Sequence, residues 1–197
     1  MIKENEKKEF IIKKVRKALL NKNTVKTIVH DGMRSSGATS VADDPSVVFV
    51  ENFIKQKGNI LYSTTEEEIR MQLERILDKY PNSRVSCSSD ALTLYFNSLG
   101  VDKIQFYSSV PDCEIGIIPC ESIIANNASV LISSGQGDLI FPKVLVLFAF
   151  TSQAVNSWRD AVARLKNQYM DKLPDRIIEL NARNPKFESV YLLLTED

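Results

Sequence analysis

Residues 144–150, Val-Leu-Val-Leu-Phe-Ala-Phe, are apolar without interruption. A stretch this short cannot cross a bilayer as a helix, which takes about 20 residues. It also offers no polar face to water. Such a run fits a strand buried on both sides, inside a mainly parallel sheet that helices cover. Val130-Leu131-Ile132 repeats the signature, with a polar connection between the two runs. The expectation is that 130–132 and 144–148 are neighbouring buried strands.

Around this centre, strand and helix signals alternate. Asp44-Pro45 reads as a helix start, with Val47, Val50, Phe53 and Ile54 facing inward before Gly58. The segments NILYS, SRVSCS, KIQFY, CEIGIIP, DRIIEL and SVYLLLT read as further strands. Thr65 with Glu68 suggests a capping box, and Ser89 or Asp90 a second N-cap. A short helix is expected around 121–126. Another is expected from Thr151 or Ser152, burying Val155, Trp158, Val162, Leu165 and Tyr169. The alternation predicts one α/β domain with a mainly parallel sheet flanked by helices. Residues 1–44 read as an amphipathic helix (3–20) and a long loop, belonging to the same domain as 45–197.

Composition narrows the chemistry. The 25 Lys and Arg balance the 25 Asp and Glu, which argues against a broad nucleic-acid surface. No apolar run approaches a membrane span, and the charged start MIKENEKKEF lacks a signal-peptide core. A cytoplasmic protein is expected. Cys87, Cys113 and Cys120 are too few and too scattered for a disulfide framework or a self-contained iron–sulfur cluster. His30 is the single histidine, so no histidine-based metal site is expected. A His-based triad would need His30, with Asp31 beside it. The chain is expected to carry no cofactor of its own.

Several polar groups crowd the two apolar runs. Ser133-Ser134-Gly135-Gln136-Gly137-Asp138 could cradle an anion, because glycines let backbone N–H groups approach it. The same residues also suit an ordinary turn. Asn126, Asn127 and Ser129 offer amide and hydroxyl groups, or a helix end. Glu121 is a candidate base, or a carboxylate that complements a helix start. Cys120 is a candidate nucleophile, or a buried structural thiol. The candidate ligand-binding residues are therefore Glu121, Asn126, Asn127, Ser129, Ser134, Gly135, Gln136, Gly137 and Asp138. No catalytic residue is assigned.

The stretch EIGIIPCESIIANNASVLISS, followed by IFPKVLVLF, resembles the LUD domain of LutC/YkgG lactate-utilisation proteins. Gly116-Ile117-Ile118 corresponds to that family's glycine-started strand. Ile124-Ala125 corresponds to the start of its central motif, and Pro142 to its proline. The ending LNARNPKFESVYLLLTED, with Pro185, is similar to the family's last segment. The polar positions differ. The acidic, threonine and glycine positions of the motif carry Asn126, Asn127 and Ala128, and Ser129 follows. Leu145 stands where the family has a histidine. The resemblance implies a NagB/RpiA/CoA-transferase-like fold over roughly residues 40–197. It also implies work beside iron–sulfur or flavin oxidoreductase subunits in lactate or related organic-acid utilisation. Because the polar motif is rewritten, chemistry does not transfer with the fold.

The resulting expectation is a LUD-domain accessory protein that binds a small anionic metabolite or a partner oxidoreductase. The alternatives are a group-transfer or isomerase-like enzyme acting on a phosphorylated or CoA-linked substrate, and a non-catalytic interaction module. In the enzyme reading, Glu121 or Asp138 is the carboxylate to examine.

Overall fold

The computed structural model describes residues 44–197 except 103, 107–112, 138, 140 and 171. The expected helix at 3–20, the loop with His30 and Asp31, and Asp138 lie outside the described residues.

The order of elements follows the alternation. Helix α1 (Pro45–Lys55) leads to β1 (Asn59–Ser63), α2 (Glu66–Leu77), β2 (Val85–Cys87), α3 (Asp90–Ser98) and β3 (Ile104–Phe106). Then come β4 (Ile115–Pro119), β5 (Ser122–Ile124), β6 (Ser129–Ser133), β7 (Val144–Phe150) and β8 (Ala154–Val155). Helix α4 (Trp158–Gln168), β9 (Ile177–Asn181) and β10 (Ser189–Thr195) complete the chain. The helix starts are chemically marked. Asp44, Thr65, Ser89 and Ser157 each accept a backbone N–H of the first turn through the side chain, satisfying donors that a helix end leaves orphaned.

The strands form two sheets. The larger is entirely parallel, in the order β1-β10-β7-β4-β2-β3. The smaller, β8-β5-β6-β9, is mixed, with β6 antiparallel to both of its neighbours. One face of the larger sheet packs against α2 and α3 through Ile69, Leu73, Phe96, Ile117, Val146 and Leu193. Its other face packs against α1 and the smaller sheet through Phe49, Phe53, Leu145, Leu147, Val130 and Ile132. Helix α4 covers the outer side of the smaller sheet, where Ala161 and Leu165 meet Ile124 and Leu131. The protein is thus α/β, with a mainly parallel sheet flanked by helices. Among the described residues, no helix is long and apolar enough to cross a membrane.

Three local expectations are corrected. Strands 130–132 and 144–148 are both buried but are not neighbours in one sheet. The partners of β7 are β10 and β4, while β6 belongs to the smaller sheet and faces β7 across the shared core. Strand β6 is apolar on both sides because it is sandwiched between the larger sheet and α4. Residues 121–126 do not form a helix. They hold β5 and the start of a hairpin turn, whose return strand supplies the backbone partners. The helix after β7 begins at Trp158 behind a Ser157–Asp160 capping box. Thr151–Gln153 form a single 3₁₀ turn before β8, and Trp158 is 43% exposed.

Candidate functional site

A cavity of about 620 Å³ opens at the carboxyl edge of the larger sheet. The residues that follow the strands build it: Thr64 and Thr65 after β1, Ser89 after β2, and Glu196 and Asp197 after β10. Parallel strands ending together, with helix starts just beyond, leave a crevice of this kind. Its wall is apolar, from Leu92, Pro119, Phe148 and Phe150. Phe148 and Phe150 stand edge to face, 5.2 Å between ring centres, and Tyr95 lies 6.3 Å from Phe148. The rim is polar and acidic. Among the described lining residues, Glu66, Glu196 and Asp197 are charged, and none is basic.

Behind this wall lies Glu121, 1% exposed. It follows Pro119 and Cys120 out of β4. Its Oε1 accepts hydrogen bonds from the hydroxyls of Ser133 and Tyr169, the latter at 2.8 Å. Its Oε2 accepts from Gln136 Nε2 at 2.9 Å and Gln168 Nε2 at 3.1 Å. A carboxylate offers about four lone-pair positions, so this one is saturated by neutral donors. Burial first, and then the bond to Glu121, hold the Tyr169 phenol above its ordinary range. Burial, aided by the Glu121 charge, pushes the Cys120 thiol well above its own. Cys120 is therefore a structural thiol, not an activated nucleophile.

Two glycines set the loop that links the cluster to the cavity. A Cβ on Gly135 would collide with the Tyr169 ring, and one on Gly137 with the Ser88 carbonyl. Gly137 also has φ 136°, where side chains are strained. The loop therefore seats against the end of β2 and carries Gln136 into the cavity wall. Ser134 points elsewhere: its hydroxyl accepts the Arg176 N–H, and its own N–H bonds the Arg176 carbonyl.

Asn126, Asn127 and Ser129 stand at the other end of the hairpin, as the pairing of Ser122 with Leu131 and of Ile124 with Ser129 requires. Asn127 Nδ2 and Ser129 Oγ each donate to Glu179 Oε1 at 2.5 Å. The Asn127 carbonyl accepts from Gln56 Nε2 at 2.8 Å. Asn126 is exposed, and its backbone N–H bonds the Asn156 carbonyl. The structure thus gathers Glu121, Gly135, Gln136 and Gly137 at one end, and Asn126, Asn127 and Ser129 at the other. The left-handed residue of the turn is Ala128, with φ 50°.

Sequence reasoning named Ser133 only within the anion-cradling loop and passed over Gln168 and Tyr169, which complete the Glu121 cluster, and the Thr64, Ser89, Tyr95 and Glu196 lining. A usable signal existed for part of the lining. N-cap residues directly after apolar strands mark the carboxyl edge of a parallel sheet.

No known family profile matches the sequence, and no curated protein matches it. Among solved structures, the fold is similar to the crystal structure of a DUF162 family protein from Deinococcus radiodurans, with a TM-score of 0.58 at 10% sequence identity. The likeness covers 75% of this chain and 94% of that one.

Proposed function

We propose that the protein binds a small molecule in the cavity at the carboxyl edge of the larger sheet, as a LUD-domain-like accessory protein. The observation that carries the binding reading is the cavity itself: large enough for a metabolite, walled by aromatic and aliphatic side chains, and rimmed by a few hydroxyls and carboxylates. The accessory setting, beside iron–sulfur or flavin subunits of organic-acid utilisation, rests on the resemblance of roughly residues 40–197 to the LUD domain. Group transfer through Glu121 finds less support, since all of its acceptor positions are engaged and Gln136 stands between it and the cavity.

A thermal-shift screen of organic acids, sugar phosphates, CoA esters and aromatic amines tests the binding reading. A compound at a hundred times its Kd stabilises the fold by about 2.7 kcal/mol if it binds the native state alone. Ala91 is exposed and lines the cavity, so Ala91→Trp fills the space at little structural cost. The expected outcome is a shift that Ala91→Trp abolishes. A shift that survives this substitution places binding elsewhere and ends the proposal.

A further inference from the structure

We propose that the cavity at the carboxyl edge of the larger sheet selects an organic cation: an ammonium group carried on an apolar, ring-sized body. This inference rests on the cavity-binding reading above and names its ligand class.

Three observations meet here. The first is charge. Glu66, Glu196 and Asp197 line the cavity, and no described lining residue opposes them. Among the described residues, the groups that hold two of these carboxylates are neutral. Tyr62 donates its hydroxyl to Glu196 at 2.6 Å, and Ser152 donates its hydroxyl to Asp197 at 2.7 Å. Neutral donors orient a carboxylate without cancelling its charge. The nearby Arg70 guanidinium is taken up by Glu67 and Glu74 on its own helix.

The second concerns the helix ends, which would otherwise favour an anion. Each already has one of its donors capped. Thr65 caps α2 and Ser89 caps α3 with their own side chains. Glu68 accepts the N–H and the hydroxyl of Thr64 at 2.7 and 2.9 Å, and α2 carries Glu66, Glu67 and Glu68 in its first turn. These carboxylates answer the positive end of α2 before any ligand arrives.

The third is the wall. Tyr95, Phe148 and Phe150 present aromatic surface to the same space, and ring faces attract cations. The field of the rim reaches this wall: burial first, and then the Glu66 charge, raise the Tyr95 phenol above its ordinary value. A low-dielectric wall beside carboxylates that no described lining residue balances concentrates a negative potential. A carboxylate or phosphate would enter against it.

The test uses three probes of similar shape and different charge: phenethylammonium, 3-phenylpropan-1-ol and 3-phenylpropanoate. Their affinities are measured by calorimetry at low and at high salt on the full chain. The expected result is binding of phenethylammonium at least about tenfold tighter than the alcohol, which is about 1.4 kcal/mol, with the acid weakest and the advantage shrinking as salt is raised. In a Glu196→Gln, Asp197→Asn double variant the advantage falls to about twofold or less. Equal or tighter binding of the alcohol or the acid overturns the cation inference, while loss of that binding in Ala91→Trp leaves the cavity reading standing. If none of the three binds, the cation inference is overturned whatever the wider screen finds.

Discussion

The two ends of the β5–β6 hairpin each hold a carboxylate that gathers short polar side chains, yet they are built differently. At the open end, Glu121 is buried and accepts from Ser133, Gln136, Gln168 and Tyr169, which come from three separate segments. At the turn end, Glu179 is exposed and receives Asn127 and Ser129 on one oxygen. Losing a partner is costly where water cannot replace it and cheap where it can. The first cluster ties β4, β6, the Gly135 loop and α4 together. The second trims the surface of a turn.

The largest expected effect comes from removing the buried carboxylate. Glu121→Ala strands the Ser133 and Tyr169 hydroxyls, at about 1–3 kcal/mol each, and leaves a void, and is expected to cost about 3–5 kcal/mol in urea denaturation. Tyr169→Phe deletes one charge-assisted bond from a half-buried donor and is expected to cost about 1.5 kcal/mol. A Glu121→Ala loss below that of Tyr169→Phe would break the contrast.

The turn end has one position where backbone outweighs hydrogen bonding. Ala128 is fully buried and left-handed. Ala128→Val puts a branched side chain where neither the φ angle nor the packing accepts it, and is expected to cost about 2–4 kcal/mol. Ala128→Gly relieves the strain but loses a buried methyl, so a net change within about 1 kcal/mol is expected. Circular-dichroism melts of both variants measure the difference.

Alkaline stability sharpens the contrast further, because Cys120 neighbours Glu121. With its native thiol held protonated by burial, only the unfolded chain releases this proton near its ordinary pKa. The stabilising contribution is therefore full below about pH 9 and is lost as the pH rises through the raised native value. Its slope is about 1.4 kcal/mol per pH unit. Cys120→Ala is expected to flatten the stability–pH curve above pH 9, with Cys87, raised likewise by burial, keeping its own share. An unchanged curve would refute that assignment.

The smallest effect is expected from Glu179→Ala, below about 1 kcal/mol. Ser129 Oγ retains Asn127 Oδ1 at 2.7 Å as an acceptor, and Asn127 reaches water. A loss equal to that of Glu121→Ala would erase the difference between the two ends.

Much of this architecture was legible in the order of residues. The apolar runs at 115–119, 144–150 and 189–195 announced buried strands. Asp44, Thr65 and Ser89 announced helix starts. These are local properties, because a cap or a continuous apolar stretch acts through neighbours a few residues away. The notion of Gly135 and Gly137 as a special loop was legible too, though not what they pack against. Apolar continuity requires cover on both sides of β6 and says nothing about whether a sheet or a helix provides it. Only the tertiary structure decided that β6 leaves the larger sheet. It alone joined Glu121 to Gln168 and Tyr169 some 47 and 48 positions later, and brought Glu196 and Ser89 into the lining of one cavity. Such pairings depend on how twisted sheets and helices stack, and no local preference along the chain encodes which distant side chains will share a space.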